Sequence, residues 1–332
     1  MTAAPLVELT RGGAMESVHA GHAVICTADG AVHEGWGNPN AAILPRSSAK
    51  MLQALPLLES AAGRDLPVDR VALACASHVG SAIHTSRVRR WLTEIGLDAS
   101  ALLCGPQDPS DRDAAQLLAL TGTAPDAAHN NCSGKHTGFL ALAQALGAGP
   151  DYIDIDHPVQ RAIRSAWQEE TGDALESWGI DGCSAPNFRT SLRGLATAMA
   201  RFATAGARSG ARATAQVRLT EAMMARPDLV EGRDKAATLL MRALAGQGAA
   251  KSGAEGVFVA ILPGPGLGVA VKVADGAARG AQAAMAGLLV QLGCLEPDHP
   301  AVLTLVGGDM TNRSGRVTGQ IRFAPQANSS AE

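Results

Sequence analysis

Residues 47–50 read Ser47-Ser48-Ala49-Lys50, a serine followed three positions later by a lysine. On a helix, residues three apart lie about one turn from each other on the same face. A desolvated lysine that loses its proton can take the hydroxyl proton of the serine and activate it as a nucleophile. Of the two serines, Ser47 has this spacing. The ordinary alternative is a serine that caps a helix and is followed by a solvated lysine.

The patterns around this stretch differ between the middle of the chain and its ends. Helical periodicity covers roughly residues 48–61, 83–96, 111–121, 135–147, 157–171, 191–206 and 210–226. Strand patterns cover residues 5–11, 16–28, 31–36, 257–262, 267–273 and 317–323, with turn residues at 29–30 and 263–266 that predict hairpins. We therefore expect an α/β (α+β) fold, in which an antiparallel sheet from both termini packs with a largely helical middle.

The length of 332 residues suffices for one large core, and no linker divides the chain. We predict a single domain over residues 1–332, with the sheet from about 5–36 and 256–323 and the helical region at about 46–250. Residues 326–332 are small and polar, and we predict that they form a frayed tail.

The composition excludes several classes of partner. Charged residues make up 18% of the chain and the formal net charge is −3, which gives no electrostatic footprint for nucleic acid or a membrane surface. No apolar run is long enough to span a bilayer, and the N-terminus lacks the pattern of an export signal. The six cysteines are widely scattered, so we expect no disulfides and a cytoplasmic protein.

A second candidate serine, Ser77, lies in residues 75–80, directly after the apolar run Val71–Ala74. His78 follows it, but side chains of adjacent residues rarely hydrogen-bond to each other in regular structure. A more distant partner is therefore expected for Ser77. Lys251 is a candidate, because it precedes the strand that leads into the C-terminal hairpin.

Two of the cysteines stand apart from the others, because polar, glycine-containing loops surround Cys132 and Cys183. Two thiolates suit zinc, although a structural zinc site normally uses four Cys or His ligands. The nearest further candidates are Lys135, His136 and Asp181. A neutral lysine amine can bind zinc, but the metal must compete with its proton. The alternative is a pair of buried thiols without a metal.

Taken together, these segments make the chain resemble the L-asparaginase II family, the Rhizobium etli-type (class 3) asparaginases. Six ordered blocks carry the resemblance through almost the whole chain, at residues 45–50, 75–80, 130–136, 156–160, 181–183 and 251–256. The resemblance implies an amidohydrolase that converts L-asparagine to L-aspartate and ammonia. It also implies a fold similar to serine β-lactamases and glutaminases, and a homodimer.

The resemblance also assigns roles to individual residues. It implies two Ser-Lys pairs in one catalytic site, Ser47 with Lys50 and Ser77 with Lys251. It implies one zinc ion per chain, with water and the ligands Cys132, Lys135 and Cys183. It places three further residues in the substrate pocket or beside the metal, namely Arg46, His136 and Asp181.

The chain departs from the family pattern at three positions. Ser81 stands where Glu is usual, Ser184 where Gly is usual, and Phe139 where Met is common. None of these changes removes a proposed nucleophile, base or ligand. They leave open the preference for asparagine over glutamine.

The expected mechanism is a double displacement in which a lysine activates Ser47, ammonia leaves, and water hydrolyses the acyl-enzyme. Zinc is expected to orient the substrate or hold the loops, since the Ser-Lys pairs already supply nucleophile and base. One rival is a penicillin-recognising serine hydrolase, which would need S-D-N and K-T-G segments that the chain lacks. A second rival is a non-enzymatic zinc-thiolate protein, which would give the serines and lysines no role.

Overall fold

A computed structural model describes residues 2–324, so the predicted frayed tail at 326–332 lies outside the described residues. The strands are β1 (Ala4–Arg11), β2 (Ala14–Cys26), β3 (Val32–Trp36), β4 (Ala42–Ile43), β5 (Trp178–Ile180), β6 (Pro186–Phe188), β7 (Thr190–Ser191), β8 (Ala249–Gly253), β9 (Val257–Leu262), β10 (Leu267–Val273), β11 (Asp309–Thr311) and β12 (Val317–Phe323). The α-helices are α1 (Lys50–Glu59), α2 (Val68–Ala74), α3 (Ala82–Glu94), α4 (Arg112–Thr121), α5 (Ser133–Ala145), α6 (Pro158–Thr171), α7 (Leu192–Ala203), α8 (Ala211–Ala225), α9 (Pro227–Val230), α10 (Ala236–Ala243), α11 (Ala278–Gln291) and α12 (Pro300–Leu305). Across residues 2–324, no helix has both the length and the apolar character needed to cross a membrane.

Most of the predicted elements are present, with ends that differ by a few residues. The strands predicted at 257–262, 267–273 and 317–323 coincide with β9, β10 and β12. Helix α11 was missed, because its buried positions run almost without interruption from Gly280 to Leu289 and give no polar face for a 3.6-residue period. Lys251 precedes β9, the first strand of the C-terminal hairpin, as expected, and it lies within a further strand, β8, that was not predicted.

The described residues form two compact units. The first combines the chain up to Ser48, residues Thr190–Thr204, and the chain from Leu239 onward. The second combines Ala49–Arg189 with Ala205–Thr238. The assignment of the whole chain to a single domain stays a prediction.

The first unit is built on an antiparallel sheet with the strand order β11-β12-β1-β2-β10-β9-β8, in which β3 also pairs with β2. The central pairing joins opposite ends of the chain, since Val269 of β10 lies opposite Ile25 of β2. Two helices cover opposite faces of β10. A Cβ on Gly268 of β10 would meet Ala196 of α7, and a Cβ on Gly280 of α11 would meet Val273 of β10. Gly268 and Val273 are an odd number of residues apart, so they face opposite sides of the sheet. The predicted antiparallel sheet from both termini is confirmed.

The second unit is helical, apart from the two-stranded sheet of β5 and β6. Its central element is α5, in which every residue from Ser133 to Ala143 is buried. Helix α2 approaches it closely, because a Cβ on Gly134 would lie only 2.4 Å from the carbonyl oxygen of Leu73. This glycine brings the end of α2 beside the start of α5. The predicted helical middle is confirmed.

Candidate active site

The serine pair lies on a 3-10 helix, Arg46–Ala49, that runs directly into α1 at Lys50. The two serines differ in availability. Ser48 is completely buried and donates its hydroxyl hydrogen bond to the carbonyl oxygen of Pro45 at 2.7 Å, whereas Ser47 is partly exposed. Ser47 is therefore the better candidate nucleophile.

Arg46, immediately before Ser47, has a φ of +55°. This left-handed conformation is uncommon for a residue with a side chain, and such strain concentrates at functional sites. The same feature recurs at Ser184, which follows Cys183 and has a φ of +68°. The structure thus shows a backbone reason for the glycine that is usual at the position of Ser184.

Within the first unit, the strand of Lys251 runs against the serine segment. Lys251 is completely buried on β8, and its amine donates to the carbonyl oxygen of Ser252 at 2.9 Å. Two residues further on, a Cβ on Gly253 would lie 2.7 Å from the carbonyl oxygen of Pro45 and 3.1 Å from the amide nitrogen of Ser48. The structure therefore brings the end of β8 into close contact with residues 45–48.

Within the second unit, the amine of Lys50 joins two of the segments singled out from the sequence. Lys50 is completely buried, donates to the carbonyl oxygen of Ala76, and lies 3.1 Å from the sulfur of Cys132. Ala76 directly precedes Ser77. Nothing in the spacing of these residues along the chain could have revealed this link, which depends on how α1, α2 and α5 pack.

Ser77 is held by its backbone, while its hydroxyl has no partner. Its amide donates to the carbonyl oxygen of Val230 at 2.7 Å. The buried Ser77 Oγ has no hydrogen-bond partner among residues 2–324. A buried polar group without a partner costs free energy, and such groups in native structures often have a catalytic role. The hydroxyl therefore has unused hydrogen-bonding capacity.

The two cysteines meet within the second unit. Cys132 directly precedes α5, and Cys183 lies on the loop between β5 and β6. A hydrogen bond from the Cys132 thiol holds the pKa of Cys183 far below its ordinary value, and the same contact raises the pKa of Cys132. Lys135 lies 3.1 Å from the Cys183 sulfur. Burial would lower the pKa of Lys135, but the negative charges of Cys183, Cys132 and Asp181 together outweigh that effect and raise it.

His136 and Asp181 flank this cysteine pair. Burial lowers the pKa of His136 to about 4, and its Nδ1 lies 2.9 Å from the hydroxyl of Tyr152. A hydrogen bond with the Cys183 side chain opposes this lowering. The carboxylate of Asp181 accepts a hydrogen bond from the amide of Gly182 at 2.8 Å, which shapes the loop of Cys183.

The donors in this cluster fit zinc in their chemistry. Two sulfur atoms meet, and the nitrogen of Lys135 lies against one of them. Within residues 2–324, no group of three or more His, Cys, Asp and Glu side chains is arranged to hold a metal ion, so a third protein ligand would have to be Lys135. Binding would displace protons from Cys132 and Lys135, because only the deprotonated groups are ligands.

Comparison with solved structures finds several distant likenesses. Mglu in its native form gives a TM-score of 0.45 at 16% identity, covering 88% of this chain and 68% of that one. A D-alanine carboxypeptidase from Burkholderia cenocepacia gives 0.39 at 14% identity, with 83% and 93% covered. A beta-lactamase from Mycobacterium bovis gives 0.39 at 13%, with 82% and 94% covered. Since these TM-scores lie below 0.5, the fold rests on the sheet and helices described above.

Comparison with known sequences is decisive for the family. No curated protein matches the chain. The profile of the L-asparaginase II family matches residues 7–323, nearly the whole chain. This match supports an asparaginase-type hydrolase acting on a small-molecule substrate. The chain belongs to the L-asparaginase II family.

Proposed function

We propose that the protein hydrolyses L-asparagine to L-aspartate and ammonia, through a serine nucleophile activated by lysine. The observation that supports this most strongly is the placement of Lys50, whose buried amine lies against the carbonyl of Ala76 and the sulfur of Cys132. One lysine thus connects the Ser-x-x-Lys segment with the Ser77 segment and the cysteine cluster. Its burial argues against the alternative of a helix-capping serine followed by a solvated lysine.

In the proposed reaction, the amine of Lys50 or Lys251 takes the hydroxyl proton of Ser47, and Ser47 Oγ attacks the side-chain amide carbon of asparagine. Backbone N–H groups at the start of α1 hold the negative oxygen that forms. The carbon–nitrogen bond breaks, the leaving nitrogen takes a proton, and ammonia departs from a Ser47 ester. Water then cleaves that ester to release L-aspartate and restore the serine.

We assign Ser77 to proton transfer between the lysines and the leaving nitrogen, because its buried hydroxyl has no partner among the described residues. Arg46, His136 and Asp181 are proposed to bind the substrate or support the metal. The strained backbone at Arg46 and the hydrogen bond between His136 and Cys183 are consistent with such roles.

We further propose that Cys132, Lys135 and Cys183 hold one zinc ion per chain. A bound ion would supply positive charge that orients the substrate and fixes the surrounding loops. The carboxylate of Asp181 would maintain the Cys183 loop through its bond to Gly182. The homodimer implied by the family resemblance and the cytoplasmic location expected from the composition stay predictions.

Ammonia release from a panel of amides tests the proposed function directly. The panel contains L-asparagine, D-asparagine and L-glutamine, with nitrocefin added as a β-lactam substrate. We expect turnover of L-asparagine and none of nitrocefin. Hydrolysis of nitrocefin alone would instead support a penicillin-recognising hydrolase, and a protein inactive on every amide would contradict the proposal.

A further inference from the structure

His78 is a buried residue of the second unit to which the proposed reaction gives no role. It directly follows Ser77 and makes two hydrogen bonds to the start of α5. Its amide donates to the carbonyl oxygen of Asn131 at 3.1 Å, and its Nε2 lies 2.8 Å from Ser133 Oγ. Asn131 and Ser133 are the two chain neighbours of Cys132.

The surrounding bonds determine which ring nitrogen of His78 carries the proton. The amide of Gly80 donates to Nδ1 at 3.1 Å, so Nδ1 is an acceptor. Nε2 then carries the proton and donates to Ser133 Oγ, whose hydroxyl donates in turn to the carbonyl oxygen of Ala128 at 2.9 Å. Complete burial lowers the pKa of His78, which agrees with a neutral ring.

These contacts link the Ser77 segment to the Cys132 turn at both backbone and side chain. Cys132 is the N-cap residue directly before α5, and the ends of helices are the parts that fray most readily. A ligand held by Cys132 and by Lys135 on the first turn would suppress this fraying. The carbonyl of Asn131 and the hydroxyl of Ser133 would then be fixed, and with them His78 and its neighbour Ser77.

We propose that His78 is a positioning residue that couples occupancy of the Cys132 metal site to the placement of Ser77. This inference rests on the zinc site and the role of Ser77 in the proposed function. It predicts that Ser77 is better ordered when the metal is bound, although Ser77 is not one of the proposed metal ligands.

His84 provides a matched control, because it shares the environment of His78 but not its bonds to α5. The two rings stack with centroids 4.8 Å apart and planes 9° apart. The nitrogens of His84 bond instead to Ser81 Oγ at 2.7 Å and to the carbonyl oxygen of Asp228 at 2.9 Å. A purely structural role for His78 predicts similar effects from changing either ring.

Amide hydrogen exchange of the full-length protein, with and without zinc, tests the coupling without using enzyme activity. The reporters are the amides of Ser77 and His78, both of which donate to backbone carbonyl oxygens that H78A retains. We expect zinc to slow their exchange about tenfold, within the roughly 5- to 150-fold range of coupling between sites. The effect should disappear in H78A, remain in H84A, and return in part in H78Q, whose side-chain amide can donate to Ser133.

Steady-state kinetics on L-asparagine adds a second readout, scaled to the folded fraction from thermal unfolding. H78A should lower kcat by about 10- to 100-fold with KM within about twofold, because a displacement near 1 Å has that cost. H84A should keep the kcat of the wild type. Equal losses in H78A and H84A, or zinc-dependent protection that survives in H78A, would overturn the coupling.

The two readouts separate failure of the inference from failure of the proposed function. If zinc protects these amides in the wild type but not in H78A, and the wild type releases no ammonia, the coupling stands and the asparaginase proposal is refuted. If the wild type hydrolyses asparagine but zinc does not change amide exchange around Ser77, the asparaginase proposal stands and the coupling is refuted. A wild type that binds no zinc would overturn the inference.

Discussion

Replacing Gly253 by alanine should impair catalysis by displacing the serine segment. In the first unit, the added Cβ would lie 2.7 Å from the carbonyl oxygen of Pro45, 0.7 Å short of the 3.4 Å at which ordinary contact begins. Residues 45–48 or the end of β8 must therefore move by about that amount. A displacement of this size at a reacting group costs about 10- to 100-fold in kcat, or about 1.4–2.8 kcal/mol in the activation barrier.

The assay is ammonia release per folded molecule, with thermal unfolding measured in parallel. Gly264→Ala is the matched control, because that glycine lies in the β9–β10 turn of the same unit with nothing within 4 Å of an added Cβ. We expect the control to match the wild type. A G253A variant with wild-type kcat would refute the reasoning, as would a G253A variant whose whole deficit is a loss of folded protein.

Three further predictions concern the metal, the histidine pair and the strained loop. Removing zinc with a chelator should raise KM for asparagine more than it lowers kcat, since the Ser-Lys pairs supply the nucleophile and base; complete loss of kcat would contradict this. Burial lowers the pKa values of His78 and His84, so the unfolded chain binds more protons below its histidine pKa near 6.5. The free energy of unfolding should therefore be intact above about pH 6.5 and fall below it, by up to about 1.4 kcal/mol per pH unit for each histidine. Urea unfolding at pH 7.5 and pH 5.5 should show a smaller decrease in this free energy for His84→Gln than for the wild type. Ser184→Gly should raise the free energy of unfolding by about 1 kcal/mol by relieving a φ of +68°; an unchanged or lower value would show that the Ser184 side chain makes a compensating contact.

The sequence predicted those features of the fold that local patterns determine. Strands β9 and β10 were placed correctly, because apolar residues bounded by a Pro- and Gly-rich turn identify a buried hairpin. Helix α11 was missed because burial on nearly all sides removes the periodicity that identifies a helix. Bounding turn residues can therefore identify a fully buried element such as β9, where periodicity gives no signal.

In the candidate site, too, the sequence predicted what depends on local spacing and missed what depends on tertiary packing. The spacing of Ser47 and Lys50 could be read directly, since the two residues are one turn apart. The contacts of Lys50 with Ala76 and Cys132 could not, because they depend on how three helices pack. The bonds of His78 to Asn131 and Ser133 were invisible for the same reason. Residue identity supplied the chemistry, whereas tertiary packing determined which groups meet.

The central claim is that Ser47 is the nucleophile. Ser47→Ala and Ser48→Ala form a matched pair, because the two serines are adjacent and only the Ser48 hydroxyl is bound to the carbonyl of Pro45. The decisive measurement is kcat for ammonia release from L-asparagine in both variants. The account predicts a loss of at least about 1000-fold in Ser47→Ala, with most of the activity kept in Ser48→Ala. Activity retained in Ser47→Ala would contradict it.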